Sequence, residues 1–323
     1  MKIRLISDLH IDINRKYNVT LPDDDVYTLI AGDIGGDYKD NAKWLRNNIR
    51  KGAFISGNHD AYTPDNTPLD DVKKFYHEEF PLDGDITYFD SDVGVITKKL
   101  DNKTILVADV LYTDYKYRAL EYMKDMSISE VVKANMRMAS PKMSGCYMND
   151  FMFLTRNGKY NKSSYDRIGD GLFYLTPENY REHFDKAFKE ITSVVEENSD
   201  KNIILMTHHC LSPKAISSEY SRDSLNASYV SNKENWIRKH SNIKLILSGH
   251  VHGQKIFNVG MTKYVLNPLG YLREVQNVTI DKKTNKTVYW SPDTFIDTKT
   301  WEITTEKYIN EEWNRIQKER TLF

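Results

Sequence analysis

The chain has 323 residues and is nearly neutral, with 45 basic and 46 acidic residues, which argues against a broadly basic protein that binds nucleic acid over its whole surface. Aromatic residues make up 12% of the chain, whereas glycine and proline are scarce, and this excludes a disordered or collagen-like protein. A chain of this length can bury a sizeable core without disulfide bonds, so we expect a globular protein.

The first part of the chain alternates predicted strands with a predicted helix. Apolar runs at 2–7, 26–31 and 53–56 indicate strands, and residues 40–50 have the apolar spacing of a helix. Each of the three apolar runs stops at a cluster of polar residues. Strands separated by helices favour a partly parallel sheet, in which ligands bind beyond the carboxyl ends of the strands. The polar clusters are therefore candidate site residues.

The middle of the chain is dominated by a polar segment rich in tyrosine, methionine and asparagine. Strands are predicted before it, at 86–89, 93–97 and 104–109. We interpret the segment itself, about 115–175, as an insertion over the sheet edge that contains one helix at 128–138. A long amphipathic helix is predicted after it at 177–197, with Thr176 as its N-cap.

The last third of the chain repeats the opening pattern. Apolar strands at 202–207 and 243–248 each end in polar residues. Shorter elements follow, namely strands near 254–259, 263–266, 275–280 and 287–290 and a charged helix at about 305–320. We expect these elements to form a single α/β domain over residues 1–323.

Cysteine content and hydropathy bear on the cellular compartment. The two cysteines, Cys146 and Cys210, are too few for a disulfide framework or a thiolate zinc site. The first ten residues contain only short apolar runs, unlike the apolar core of a signal peptide. No stretch approaches the 18 consecutive apolar residues of a membrane span. These features predict a cytoplasmic protein that does not insert into a membrane.

Most of the histidines lie directly after predicted strands. Six of the nine are placed in this way: His10, His59, His208, His209, His250 and His252. Imidazole and carboxylate groups together suit divalent metals such as Mn, Fe, Zn or Ni, with Mn as our first expectation. The same clusters contain Asp8, Asp33 and Asn58. Seven ligands drawn from these nine residues, with one carboxylate bridging, would bind two metal ions and leave positions for water, which is typical of a catalytic site.

These clusters resemble the five-block signature of the calcineurin-like metallophosphoesterases. The blocks are, in chain order, Asp8-Leu9-His10, Gly32-Asp33, Gly57-Asn58-His59-Asp60, His208 and Gly249-His250-Val251-His252. The resemblance implies a four-layer α/β/β/α sandwich with a dinuclear site at the strand ends. It also implies two ligand sets that share one residue: Asp8, His10, Asp33 and His252 for one ion, and Asp33, Asn58, His208 and His250 for the other.

The resemblance further implies the reaction, which is hydrolysis of a phosphate ester by in-line attack of a hydroxide that bridges the metals. His59 is the candidate proton donor to the leaving oxygen, a role that typically contributes about 10²–10⁴-fold to the rate. Asp60 either orients that imidazole or caps backbone amides. Asn58 is a candidate contact to the substrate, and His209 is a candidate for either a contact behind a metal ligand or a substrate contact. We expect the substrate to be a small phosphate ester, nucleotides included.

Two departures from the family bear on the substrate. Protein serine/threonine phosphatases have an arginine shortly after the second block, and its absence from Ile34 to Asp37 argues against a phosphoprotein substrate. Residues Tyr147 to Asp150 and Asn267 to Tyr271 resemble segments of a largely uncharacterised bacterial and phage-type subgroup, which often has arginine where this chain has Leu269. Arg273 is a candidate replacement for that positive charge.

Two alternative functions remain at this point. A metal-dependent nuclease would need a positively charged groove beside the site, and the balanced charge does not favour one. A non-catalytic scaffold would have lost ligands, whereas every ligand position in this chain holds a competent residue. The sequence predicts no particular oligomeric state.

Overall fold

Two six-stranded sheets lie at the centre of the fold in a computed structural model, which describes residues 1–15, 19–141, 147–157, 167–169, 172–271, 279–281, 286–288 and 291–305. The first sheet has the spatial order β17 (Ile303–Thr305), β16 (Thr294–Asp297), β1 (Lys2–Ile6), β2 (Tyr27–Ala31), β3 (Gly52–Ile55) and β4 (Ile86–Tyr88). Strands β1 to β4 are parallel, whereas β16 and β17 are antiparallel to their neighbours.

The second sheet has the same mixed character. Its spatial order is β12 (Lys255–Val259), β13 (Thr262–Leu266), β11 (Ile243–Ser248), β10 (Asn202–Thr207), β6 (Thr104–Asp109) and β5 (Thr97–Lys99). The four inner strands are parallel and the two edge strands are antiparallel. Two small sheets add β7 (Thr155–Asn157), β8 (Arg167–Gly169), β9 (Leu172–Tyr174), β14 (Thr279–Asp281) and β15 (Lys286–Val288).

The helices in the described parts of the chain are α1 (Tyr38–Asn48), α2 (Leu69–Glu79), α3 (Ile128–Ala139), α4 (Asp150–Phe153), α5 (Pro177–Glu197), α6 (Asn226–Tyr229) and α7 (Glu234–Lys239). Helices α1 and α2 pack outside the first sheet, and α5 and α7 pack outside the second. In the parts of the chain that the structure describes, no helix is both long enough and apolar enough to cross a membrane.

The hydrophobic core is divided into three clusters by the two sheets. Between the sheets, Leu5 of β1 lies in one cluster with Met206 of β10. Outside the first sheet, Phe54 packs against Tyr76 of α2 with ring centroids 5.2 Å apart. Outside the second sheet, α5 contributes Ile191 to a further cluster. The central strands are therefore buried on both faces, and the predicted four-layer α/β/β/α arrangement is confirmed.

Several predicted boundaries agree with the structure. The strands at 104–109, 202–207 and 243–248 and the helix at 177–197 are confirmed to the residue. The predicted cap of that helix is also confirmed, because the Thr176 side chain accepts a hydrogen bond from the backbone amide of Asn179. These elements combine uninterrupted apolar patterns with clear end signals, which is why sequence alone places them.

Other predicted elements were wrong or fall outside the described residues. The strand predicted at 93–97 was wrong, because Asp90 caps a single 3₁₀ turn at Ser91–Val93 and β5 begins only at Thr97. Helix α2 and strand β16 were not predicted. The predicted C-terminal helix at 305–320 lies outside the described residues except for Thr305, which ends β17.

A group of charged side chains, all buried except the exposed Asp92, joins α2, α5 and β6. The Lys73 ammonium lies 2.9 Å from Asp90 Oδ2 and 2.7 Å from Asp92 Oδ2. His183 Nε2 lies 2.8 Å from Asp109 Oδ1, and its Nδ1 is 3.4 Å from Asp92. Burial by itself lowers the pKa of His183, but the two carboxylates outweigh burial and raise that pKa to about 9. These ion pairs therefore connect α2, α5 and β6.

The raised pKa predicts how stability depends on pH. A histidine whose pKa is raised on folding stabilises the protein fully below its unfolded pKa of about 6.5, and this contribution is lost as pH rises through about 9. The stability difference between wild type and His183→Gln should therefore shrink by about 3 kcal/mol between pH 6 and pH 10. Urea denaturation in the presence of chelator measures this stability difference at each pH, and His77→Gln is the control. A difference that stays constant with pH would contradict the prediction.

Candidate metal centre

The polar clusters that follow β1, β2, β3, β10 and β11 meet at one edge of the two sheets. Backbone hydrogen bonds tie their loops together: the Asp8 amide donates to Gly32, at 2.9 Å, and the Gly249 amide donates to His208, at 3.0 Å. The structure thereby brings together all seven predicted ligands, namely Asp8, His10, Asp33, Asn58, His208, His250 and His252.

The first group of ligand atoms consists of Asp8, His10 and His252, which lie within 4.8 Å of one another. The Nε2 atoms of His10 and His252 are 3.1 Å apart, and His252 Nε2 is 3.8 Å from Asp8 Oδ1. Asp33 Oδ2 is 3.8 Å from His10 Nε2, so this carboxylate also reaches the first group.

The second group consists of Asp33, His208 and His250. Asp33 Oδ2 is 3.5 Å from His208 Nε2, and Asn58 Oδ1 is 3.1 Å from the same nitrogen. Asp33 therefore lies between the two groups, which is the position that a bridging carboxylate requires.

Orphaned buried atoms support a cation at this place. Among the described residues, Asp8 Oδ2 and His250 Nε2 are buried without a hydrogen-bond partner, although buried polar atoms are normally paired. The Nδ1 atom of His208 is 2.8 Å from the Ala31 carbonyl oxygen, so that nitrogen donates and Nε2 is left to bind an ion. Nitrogen and oxygen donors of this kind fit divalent first-row metals.

The electrostatics of the centre also favour a cation. Burial lowers the pKa of His208, but the charges of Asp33 and Asp8 outweigh burial and raise that pKa to about 9. Burial also raises the pKa of Asp33, yet the neighbouring imidazoles hold it well below its ordinary value. The buried carboxylates thus favour a positive charge in the centre, which a divalent cation would supply.

Backbone strain is concentrated in the same loops. Four predicted ligands have a positive φ angle, with values of 51° for Asp8, 44° for His10, 55° for Asp33 and 66° for His250. Gly32, directly before Asp33, has a φ of 87°. Non-glycine residues rarely adopt this conformation, and each one costs about 1–3 kcal/mol. Strain of this kind persists where the surrounding structure and the function of a site require it.

Asp60 organises the loops around the centre. Its Oδ2 atom accepts hydrogen bonds from the backbone amides of Asp33, at 2.8 Å, and Gly57, at 2.6 Å. Its Oδ1 atom accepts from the Ile34 amide, at 3.1 Å, and from Asn41 Nδ2, at 2.9 Å. Burial and the charge of Asp33 raise the pKa of Asp60 to about 8. The geometry favours the second of our two interpretations, in which this carboxylate caps backbone amides.

Asp60→Ala should therefore destabilise the protein and lower its metal affinity. The change leaves three buried amide donors without an acceptor, and each costs about 1–3 kcal/mol. Urea unfolding and metal content measure the effect. Asp37→Ala, which removes the N-cap of α1, is the control, with an expected loss of about 1 kcal/mol. If Asp60→Ala is stable and binds metal like wild type but has lost turnover, the result would instead support the first interpretation, in which Asp60 orients the His59 imidazole.

His59 lies between the metal centre and solvent. Its backbone amide donates to Asp33 Oδ1 at 2.8 Å, and its Nε2 atom is 3.0 Å from the Tyr271 hydroxyl. The ring contacts Tyr62, with centroids 4.4 Å apart, and His10, at 4.7 Å. Its ligand atoms also form a third group with His10 and Asp33. Its ring is therefore next to the predicted ligands and held by two tyrosines.

The predicted substrate contact by His209 is not supported by its position. Its ring is fully buried and lies 4.2 Å from the ring of His250. Burial and the charge of His208 hold the pKa of His209 well below its ordinary value, so the imidazole is neutral. It packs behind a predicted ligand rather than facing solvent. Arg273, the candidate replacement for the missing arginine and a further candidate substrate contact, lies outside the described residues.

Sequence reasoning missed the role of a buried carboxylate at the site. Asp150, at the start of α4, accepts a hydrogen bond from Asn58 Nδ2 at 2.8 Å and another from Tyr180, at 3.0 Å. Tyr62 donates a third hydrogen bond to it. The sequence marks the segment that contains Asp150 only by its resemblance to a subgroup, and no pattern links it to Asn58, which is 92 residues away.

A cavity of about 420 Å³ adjoins the metal centre. Five predicted site residues line it: Asp33, Asn58, His59, His250 and His252. The opposite walls come from 147–150 and from the 216–229 region, with Tyr271 completing the lining. Glu219 and Asp223 are on these walls, whereas no lysine or arginine is among the described lining residues.

The fold is similar to that of a solved structure with low sequence identity, and two further structures align with lower scores. A phosphopantetheinyl hydrolase from Mycobacterium tuberculosis aligns with a TM-score of 0.60 at 15% identity, over 84% of this chain and 90% of that chain. The protein TT1561 from Thermus thermophilus aligns with a TM-score of 0.45 at 11% identity, over 95% and 98%. A putative 5'-nucleotidase from Staphylococcus aureus has a TM-score of 0.41 at 10% identity, over 99% and 58%.

Sequence comparison identifies the family. No curated protein matches this sequence significantly. The family model described as calcineurin-like phosphoesterase, however, matches residues 1–254, which is more than half of the chain and contains every predicted ligand. The chain therefore belongs to the calcineurin-like phosphoesterase family.

Proposed function

We propose that this protein hydrolyses small phosphate esters with the help of two divalent metal ions, and that phosphodiesters are preferred to phosphomonoesters. The observation that carries the proposal is the cavity of about 420 Å³, because one of its walls contains members of both ligand groups. A substrate in the cavity would place its phosphorus next to the ions and the rest of the molecule against the opposite walls.

The size and chemistry of the cavity suit a molecule as large as a nucleotide. Small-molecule sites commonly enclose about 300–1,000 Å³ and are lined by apolar and aromatic side chains with a few polar groups. Five tyrosines line this cavity: Tyr62, Tyr147, Tyr220, Tyr229 and Tyr271. Their rings offer apolar faces to an aromatic leaving group, and their hydroxyls offer hydrogen bonds.

The charge of the described lining favours a substrate with few negative charges. Glu219 and Asp223 repel anions, and the described part of the wall contains no cationic side chain to offset them. A phosphodiester has one negative charge at neutral pH and a phosphomonoester has nearly two. A nucleic acid would need lysine or arginine along the path of its phosphates, so the nuclease alternative is not supported.

The residues of the centre have distinct proposed tasks. Asp8, His10, Asp33 and His252 would bind one ion, and Asp33, Asn58, His208 and His250 would bind the other. When bound, two such ions activate water as the nucleophile and neutralise charge on the phosphoryl oxygens. His59 would give the proton on Nε2 to the leaving oxygen as the bond between that oxygen and phosphorus breaks. Tyr271, 3.0 Å from Nε2, would hold the ring in place.

The test compares a diester and a monoester on one protein preparation. The protein is stripped with chelator, reloaded with Mn²⁺ and assayed with bis-nitrophenyl phosphate and mono-nitrophenyl phosphate, with the stripped protein as control. We expect metal-dependent hydrolysis of both, faster for the diester. Turnover of the monoester alone would replace the diester preference with a phosphatase function. A protein that binds two ions and cleaves neither ester, nor any short oligonucleotide or nucleotide, would contradict the proposal.

A further inference from the structure

Asp150 is a carboxylate buried completely inside the predicted insertion. Its three described donors are all neutral: the Asn58 carboxamide at 2.8 Å, the Tyr180 hydroxyl at 3.0 Å and the Tyr62 hydroxyl. Burying a carboxyl group is costly unless it is well hydrogen-bonded, and packing alone would be served better by an apolar side chain. The position therefore calls for a role that needs a strong acceptor.

The role follows from the chemistry of the Asn58 side chain. A carboxamide has an oxygen acceptor at one end and a nitrogen donor at the other, and the two ends have the same shape. Only the oxygen can bind a metal ion. Asn58 Nδ2 lies 2.8 Å from Asp150 Oδ1, and the Tyr62 and Tyr180 hydroxyls also donate to this side chain, so the carboxyl group accepts from the nitrogen end of Asn58. The oxygen end then points to the second ligand group, 3.1 Å from His208 Nε2.

We propose that Asp150 is a positioning residue that orients Asn58 toward the second metal ion, so that the insertion completes the metal centre. The proposal rests on the proposed function, since it presumes that the second group binds an ion. Outer carboxylates that orient metal ligands typically change metal affinity by about 10–100-fold when they are removed. The effect should fall mainly on one ion, because Asp150 accepts a hydrogen bond from Asn58, which belongs to the second predicted ligand set alone.

The insertion is well placed to transmit this effect. Asp150 connects three separate parts of the chain, since Tyr62 follows β3 and Tyr180 belongs to α5. Phe151, its neighbour, packs against Tyr180 with ring centroids 5.0 Å apart. The same segment lines the cavity through Tyr147 to Asp150. The orientation of a metal ligand and the shape of the substrate site thus depend on one short stretch.

The test measures metal binding directly, without reference to activity. Mn²⁺ is titrated into chelator-stripped wild type, Asp150→Leu, Asp150→Asn and Tyr180→Phe by calorimetry, and the spin-coupled Mn pair is followed by electron paramagnetic resonance. Asp150→Leu should weaken the second ion by about 10–100-fold and leave the first unchanged. Asp150→Asn can donate as well as accept, so it should also weaken the second ion, by less than Asp150→Leu does. Tyr180→Phe removes only the donor to the other carboxylate oxygen and should stay within about threefold.

Three outcomes would overturn the inference: wild-type affinities in Asp150→Leu, equal weakening of both ions, or the same selective loss in Tyr180→Phe. If Asp150→Leu does not fold, hydrogen exchange of the Asn58 side chain, measured in chelator-stripped wild type, tests the proposal instead. The Asn58 carboxamide should exchange slowly, and exchange as fast as that of an exposed asparagine would overturn the proposal. Failure of the proposed function would be distinguishable, because wild type itself would then neither bind two ions nor hydrolyse esters.

Discussion

Replacing Asp33 with alanine is expected to abolish hydrolysis and to release most of the bound metal. Asp33 lies between the two ligand groups, with Oδ2 3.8 Å from His10 Nε2 and 3.5 Å from His208 Nε2. Its other oxygen accepts a hydrogen bond from the backbone amide of His59, so the change also releases the proposed proton donor. Loss of both ions removes several kcal/mol of transition-state stabilisation, which corresponds to a decrease in kcat of about a thousandfold or more.

Metal analysis and kinetics on the same samples measure the effect. Asp33→Asn is the informative partner variant, because it keeps the shape and an acceptor for His59 but removes the negative charge. It should fold like wild type and still lose metal. Asp40→Ala, an exposed acidic residue on α1, controls for the loss of one negative charge and should leave both quantities unchanged. An Asp33→Ala protein that retains two ions per chain would show that this carboxylate does not bridge them.

Sequence patterns predict the part of the fold in which local and tertiary preferences agree. Strands β6, β10 and β11 are buried on both faces, so their apolar runs are continuous and their ends are unambiguous. Helix α2 was missed because charged residues separate the apolar Leu69, Val72 and Tyr76, and Pro68 provides no side-chain cap. Its stability depends on packing against the first sheet, which no local pattern reveals.

The candidate site also contains residues that local patterns mark and residues that only tertiary contacts reveal. Its predicted ligands follow strands directly, so the strand order of a parallel sheet brings them to one edge whatever the intervening loops do. The partners of those ligands follow no such rule. Asp150 and Tyr271 reach Asn58 and His59 from positions 92 and 212 residues away, and only the folded chain shows the contacts. Sequence alone therefore predicts the candidate metal ligands but not the residues that orient them.

His59→Ala should keep both metal ions and lose most turnover of a substrate with a poor leaving group. An alkyl leaving oxygen develops negative charge as its bond to phosphorus breaks, and proton donation at that moment typically contributes about 10²–10⁴-fold. A nitrophenyl leaving group is stable as an anion and needs little protonation. The decrease in kcat should therefore be large for a dialkyl diester and small for a diester that releases nitrophenolate.

The comparison of leaving groups separates proton donation from other roles of the ring. Tyr271→Phe is the matched control, since it removes the hydroxyl 3.0 Å from Nε2 and leaves the imidazole in place. It should lower kcat less than His59→Ala and with the same dependence on the leaving group. Full activity of His59→Ala on the dialkyl ester would exclude the residue as the acid. Loss of metal from His59→Ala would instead indicate that His59 is a metal ligand, because its ligand atom lies within 4.8 Å of those of His10 and Asp33.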